Sequence, residues 1–118
     1  MYHQAGRADI AAYLEKVKKL VSSGKYDFVP RRKSLQSLAR HGLTPVDAKN
    51  EIIGLVVNDY YKGPKRDFDT NHPGDIWEFK KKIDNIQFYI KIKIVCNNGE
   101  EVLKCLGFHE DEFVQEGR

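Results

Sequence analysis

At 118 residues, with 41% hydrophobic and 31% charged side chains, the chain has the proportions of a single folded domain around one core. Those proportions exclude a disordered polyelectrolyte, and its apolar runs fall far short of the roughly 20 residues that a membrane-spanning helix needs. The net charge of +3, from 20 Lys and Arg against 17 Asp and Glu, is too small to announce a nucleic-acid partner by itself.

The distribution of charge says more than its sum. Basic residues concentrate in Arg31-Arg32-Lys33 and Lys80-Lys81-Lys82, and many acids gather after Gly99. Taken singly, such a run ordinarily marks a solvated face. The opening MYHQAGRADI lacks the basic start and apolar stretch of a secretory signal, so a cytoplasmic location is expected. Cys96 and Cys105, with no CxxC and no Cys/His cluster, predict reduced, packed thiols and neither a disulfide nor a zinc site.

In chain order, Ile10, Tyr13, Leu14, Val17, Leu20 and Val21 recur at three- and four-residue spacing and predict a helix over about Asp9 to Ser23. Asp9 is its candidate N-cap and Gly24 its stop. About the first nine residues are expected to be flexible. Lys25 to Val29 reads as a short strand ended by Pro30. A second helix is predicted near Lys33 to Arg40, with Leu35, Leu38 and Ala39 inward and Gly42 at its end. Thr44, Pro45 and Asp47 make a capping-box start for a third helix. That helix directs Val46, Ile52, Ile53 and Leu55 to the core.

From Asn58 to Gly74 the polar segment NDYYKGPKRDFDTNHPG predicts a long loop, a kind of segment that is usually functional or mobile. Asp67, Asp69, Asn71 and Asp75 lie in it, but His72 stands where a calcium loop needs glycine, so no metal site is expected. His3 and His41 lack ligand-spaced partners and are expected to face solvent. Trp77 reads as a core anchor.

Beyond Gly74 the period changes to two. Ile76 to Ile83, Ile86 to Cys96 and Glu101 to Phe108 predict three strands, joined by turns at Asp84-Asn85 and Asn97-Asn98-Gly99. Ile86, Phe88, Ile90, Ile92 and Ile94 share one face of the middle strand, and Gln87, Tyr89, Lys91 and Lys93 share the other. Pairing Ile83 with Ile86 sets Lys80 opposite Tyr89 and Glu78 opposite Lys91 on the polar side. Lys81 then falls on the apolar side, which predicts an exposed strand end.

For the second hairpin, a strict two-residue turn sends Phe108 to the polar face. A three-residue loop with Gly99 in the left-handed conformation buries Leu106 and Phe108 and brings His109 beside Tyr89. The second version is preferred, although it leaves Lys104 on the apolar side. Glu78, Lys80, Tyr89, Lys91 and His109 then share one sheet face. They form either a surface ion-pair lattice or a surface that binds phosphate, stacks on a base and moves protons.

The motifs NEIIGLVVNDYYKG, DIWEFK, QFYIKIKI and GFHEDEF, with VKKLVSSGK ahead of them, occur in an order and spacing that resembles the MqsR family of mRNA interferase toxins. The likeness runs from about residue 13 to residue 113. It implies a RelE-like α+β fold, with N-terminal helices packed on a small, curved, mainly antiparallel sheet. It also implies a type II toxin–antitoxin toxin that cleaves single-stranded mRNA without metal or other cofactor, and a cognate antitoxin partner.

Carried over by position, the family's active-site lysine falls on Lys62 and its catalytic-region tyrosine on Tyr89. One of Tyr60 and Tyr61 is expected to pack, while the other leans on substrate near Lys62. Glu78 and His109 depart from the founding member's pattern, which has glutamine and lysine there. Carboxylate and imidazole are the better proton-transfer groups near neutral pH. The expected catalytic set is therefore Lys62, Glu78, Tyr89 and His109, with Tyr61, Lys80, Lys91 and Gln87 binding substrate. The rival expectation is a non-catalytic RNA- or protein-binding module on the same fold.

Overall fold

The computed structural model describes residues 4–69, 71 and 73–112. Its elements are α1 (Arg7–Ser22), β1 (Tyr26–Phe28), α2 (Arg32–Arg40), α3 (Pro45–Ile53), a short 3-10 turn (Val57–Asp59), β2 (Tyr60–Arg66), β3 (Asp75–Ile83), β4 (Ile86–Asn97) and β5 (Glu100–Glu110). The strands form one sheet in the order β1-β5-β4-β3-β2, antiparallel throughout except where β1 runs parallel to β5. The fold is thus α+β, helices packed against a mixed sheet. No described helix is long and apolar enough to cross a membrane.

The helical stripe of α1 buries Ile10, Leu14, Val17 and Val21, as its spacing predicts. The helix starts earlier than expected, with Gly6 at the N-cap and Asp9 inside the first turn. Just ahead of it, Gln4 bridges to Gly63 and the Ala5 N–H donates to the Tyr60 hydroxyl at 3.1 Å. His3 and His72, and Phe113 of the GFHEDEF motif, lie outside the described residues.

In α3 the capping box forms as expected: the Asp47 N–H donates to Thr44 Oγ1 at 3.2 Å, and the Thr44 N–H to Asp47 Oδ2 at 2.8 Å. Ile52 and, just past the helix, Leu55 are fully buried, and Ile53 packs partly against the core. Val46, expected inside, is 65% exposed. It lies two residues, about 200° of helix turn, from Ala48, which leads the buried 48/52/55 stripe.

The largest departure in the helices is α2. Leu38 is buried as expected, but Leu35 is 41% exposed, Ala39 is exposed, and Ser34 and Ser37 turn inward instead. The sheet explains this. The parallel pairing ends at Phe28↔Cys105, leaving later β5 N–H groups without a strand partner. Ser34 Oγ accepts from the Phe108 N–H at 3.0 Å, and Ser37 Oγ from the Glu110 N–H at 2.7 Å. A leucine there could fill space but not accept those bonds.

The β3–β4 hairpin follows its expected register, Ile83↔Ile86, Lys80↔Tyr89 and Glu78↔Lys91. Asp84 (φ 52°) and Asn85 (φ 68°) both take the left-handed conformation, as a two-residue primed turn requires. The second hairpin corrects the expected three-residue loop: Asn97 pairs with Glu100 around a two-residue Asn98-Gly99 turn (φ 55° and 78°). The extra residue sits deeper, where Lys91 pairs with Gly107 and Ile92 with Cys105, leaving Leu106 as a bulge. Before the bulge Lys104 lies opposite Lys93 on the polar side; after it Phe108 lies opposite Ile90 in the core. Moving the bulge removes the misplaced Lys104 and still sets His109 opposite Tyr89.

The expected loop from Asn58 to Gly74 is likewise corrected, since Tyr60–Arg66 forms the edge strand β2. Its pairing slips at Tyr61 and again between Lys62 and Lys65. A Cβ on Gly63 (φ 119°) would lie 2.7 Å from the Ile76 carbonyl oxygen, so only glycine fits that close approach. Such interruptions hide a strand from any search for alternation.

Trp77 anchors the core, stacked on Tyr13 with ring centroids 4.0 Å apart. Lys81 is not at an open strand end; α3 closes it, with Glu51 supplying a carboxylate at 2.8 Å and its carbonyl at 3.2 Å. Cys105 is buried, and burial pushes its thiol up to about 12, whereas Cys96 is exposed rather than packed. His41 is also partly buried, edge-on to Phe88 and 2.9 Å from Glu110.

Ser34→Ala strands the buried Phe108 N–H without its acceptor and should destabilise the fold by about 1–3 kcal/mol. Urea unfolding checks this. An unchanged midpoint in Ser34→Ala would mean that these serine bonds do not hold α2 to β5.

Candidate functional site

The polar face of the sheet is organised in rows that run across the strands. One row carries Lys62 on β2, Glu78 on β3, Lys91 on β4 and Gly107 on β5. The next carries Lys80, Tyr89 and His109 on β3, β4 and β5. Residues two apart on a strand share a face, so both rows point the same way. Over them opens a cleft of about 560 Å³, lined by Lys33, Tyr61, Lys62, Glu78, Tyr89, His109, Asp111 and Glu112.

Each side chain reaches the cleft by a local cause. Tyr61 and Lys62 are turned in by the first β2 slip. Tyr60, before them, packs edge-on to Trp77 and Phe79 and donates its hydroxyl to the Gly63 carbonyl, so Tyr60 is the packing partner and Tyr61 the cleft residue. The Tyr61 ring lies under two cations, with Lys80 Nζ 4.0 Å and Lys62 Nζ 5.0 Å from its centroid. Glu78 is only 4% exposed. A carboxylate that deep needs positive charge nearby, and its neighbours in the row are Lys62 and Lys91.

His109 lies against Tyr89, ring centroids 5.1 Å apart. Its Nδ1 is 3.0 Å from the Glu110 carbonyl oxygen. A carbonyl only accepts, so Nδ1 carries the proton of that bond, and in the neutral ring Nε2 holds the free lone pair. The same Nε2 becomes a donor once protonated. That contact with Glu110 ties one ring nitrogen to the backbone and leaves Nε2 as the other.

Three expected binding residues do not line the cleft. Lys80 swings to Asp111 at 2.9 Å, and Gln87 Nε2 donates to the same carboxylate at 3.0 Å. The Asp111 N–H returns a bond to the Gln87 carbonyl at 2.8 Å. Gln87 thus braces Asp111 and does not line the cleft, because Asp111 continues past β5 and claims its amide. Lys91 lies in an adjoining, smaller hollow. Burial and the neighbouring Arg31 guanidinium hold the Lys91 ammonium below its ordinary value, partly offset by Glu78.

Lys33, Asp111 and Glu112 were not singled out by sequence. Lys33 sits in a basic run that the sequence displays, but only the docking of α2 on β5 brings it to the sheet face. Its ammonium meets Glu112 at 2.8 Å across the cleft rim.

At the other end of the polar face, Lys93 is 2% exposed and bonded to Asp67 from the β2–β3 connection. The Asp67 carboxylate is therefore occupied by an ammonium, and the Asp69 and Asn71 N–H groups bond to the preceding aspartates at 3.1 and 3.0 Å. Among the described residues, no group of three or more His, Cys, Asp or Glu gathers to hold a metal. Neither a family model nor a curated protein matches the chain.

The Lys93 bond holds the Asp67 carboxyl below its ordinary value. A depressed acid contributes stability above the usual carboxylate range and loses it as pH falls through the depressed folded value. Melting temperature followed from neutral pH down to about pH 3 should fall more gently for Asp67→Asn than for the unaltered chain. Parallel curves would show that this pair does not shape the acid limb.

Proposed function

We propose that this chain is an endoribonuclease, the mRNA-cleaving toxin of a type II toxin–antitoxin pair. The observation that carries this reading is the convergence of Lys62, Glu78, Tyr89 and His109 on one cleft. The order and spacing of the motifs that resemble MqsR toxins support it as well, because Lys62 and Tyr89, the two positions carried over from that resemblance, line the same cleft.

In the proposed reaction the ribose 2′-oxygen attacks the adjacent phosphorus. A base takes the 2′-OH proton, the bond to the 5′-oxygen breaks, and an acid protonates that leaving oxygen. The products are a 2′,3′-cyclic phosphate and a 5′-OH end, and the reaction needs no metal. Glu78 and His109 stand on strands either side of β4, two residues out of line, which puts their Cα atoms roughly 12 Å apart by ordinary sheet spacing. A phosphate seated over Tyr89 between them has one proton-transfer group on each side, as an in-line displacement requires.

The buried Glu78 is the base in this scheme and His109, through Nε2, the acid. Lys62 stabilises the charge on phosphorus, and Tyr89 orients the phosphate or stacks on a base. Tyr61, in cation–π contact with Lys62 and Lys80, offers a second aromatic surface in the cleft.

Glu78→Gln and His109→Ala should each lower cleavage by about 10²–10⁴ while leaving RNA binding largely intact. Mapping of new 5′-OH ends after induced expression, and cleavage of RNA by the purified chain in EDTA, reads this directly. Tight binding with no new ends, in the unaltered chain as in the variants, would favour a non-catalytic binding module instead.

A further inference from the structure

Beside the cleft lies a second hollow of about 120 Å³, lined by Arg31, Lys33, Ser34, Tyr89, Lys91, Leu106, Gly107 and His109. Lys33, Tyr89 and His109 line both, and the two rings stand between them. We infer that Arg31, Lys33 and Lys91 form a second phosphate subsite, which holds the backbone phosphate next to the one over Tyr89 in the same RNA strand. This deepens the nucleic-acid reading above and rests on it.

Three observations carry the assignment. The first is charge: three cations from two separate elements, the start of α2 and the middle of β4, face one small concavity with no carboxylate in its lining. Among the described residues neither Arg31 nor Lys91 forms a salt bridge; Glu78, opposite Lys91 on β3 and outside the hollow, only partly offsets the Lys91 charge. Arg31 and Lys91 repel one another, and burial adds to the discomfort of the Lys91 charge. A bound anion relieves both effects.

The second is shape. Row position 107 is a glycine. A Cβ there would lie 3.6 Å from Lys91 Cβ and 3.8–3.9 Å from the His109 ring, so any longer side chain would occupy the hollow. The Leu106 bulge sets Gly107 opposite Lys91, so the irregularity that returns Phe108 to the core also opens this space. The hollow has the scale of a hydrated phosphate, not of a nucleoside.

The third is accessibility to a competing anion. Lys33 is held only by Glu112, in a pair whose side chains are 55% and 64% exposed. Such a pair is weak and readily exchanged for another anion. The first turn of α2 carries no acidic residue, so its positive end adds to the field without being the site. A groove that tracks the backbone with cations and separates successive positions with aromatic rings is a common way of holding single strands.

The test uses the full chain and short uncleavable 2′-O-methyl oligonucleotides, either fully charged or with single internucleotide phosphates replaced by neutral methylphosphonate. Arg31→Gln should weaken binding of the charged strand about tenfold. It should also make the dependence of log affinity on log salt shallower by about 0.7. Lys91→Gln should act in the same direction, and Lys18→Gln on α1 should change neither quantity. Neutralising one particular phosphate should abolish the difference between Arg31→Gln and the unaltered chain.

An Arg31→Gln variant that binds with unchanged affinity and salt dependence overturns the subsite, as does failure of the unaltered chain to bind these strands. A loss that is the same at every methylphosphonate position also overturns it, since that is diffuse attraction and not a site. Cleavage is not read, so the two proposals separate. A chain that binds as described but never cuts keeps the subsite and loses the nuclease. A chain that cuts while Arg31→Gln binds normally does the reverse.

Discussion

The turn at Asp84 and Asn85 sets the pairing of β3 with β4, and that pairing decides which side chains can act together. Both residues adopt the left-handed conformation, so two residues suffice to reverse the chain and Ile83 meets Ile86. From that one match the rest of the register follows: Lys80 reaches Tyr89, and Glu78 reaches Lys91. A slip by one residue would exchange the faces of β3, burying lysines and exposing Trp77 and Phe79. The fully buried Phe79, Phe88 and Ile90 make that exchange prohibitive, so the core holds the polar rows in place.

How much of this was legible beforehand depended on whether the signal was local. The β3–β4 hairpin was, because strict alternation over Ile86 to Ile94 leaves one sensible register. So was the start of α3, since Thr44, Pro45 and Asp47 carry their own capping chemistry. The strand β2 was not legible, because Gly63, Pro64 and two slips erase its period. The inward face of α2 was not either. Ser34 and Ser37 are inside because distant β5 amides need acceptors, and a helix considered alone gives no hint of that. For the second hairpin, the pattern predicts the burial of Phe108 and the approach of His109 to Tyr89, whereas the bulge lies at Leu106 and not at the turn. Total offset along a strand is readable from which side chains must be buried; the point where the offset occurs depends on what packs around it.

The candidate site shows the same division. Tyr61, Lys62, Glu78, Tyr89 and His109 line one cleft, and the strand register sets Glu78, Tyr89 and His109 on the face over which it opens. Gln87 was assigned by alternation alone, and alternation says which face a residue takes, not what it binds. Asp111 captures it. Lys33, and Arg31 just ahead of α2, come to this face from a helix that two hydroxyl–amide bonds tie to β5. Sheet and helix therefore contribute differently: the sheet supplies the ordered rows, and α2 supplies cations along one border.

The broken course of β2 has a further consequence for how the molecule behaves in company. As the outermost strand it presents one flank to other chains, and a regular, apolar flank would be a template for strand addition and aggregation. Here the slips, Pro64 and the charges of Lys62, Lys65 and Arg66 interrupt that template, and Gln4 bridges to its middle at Gly63. The distortion that aims Lys62 into the cleft therefore also guards the edge. Straightening β2 to strengthen the sheet would misdirect the lysine and invite self-association together, which ties edge protection and the aim of Lys62 to the same few backbone angles.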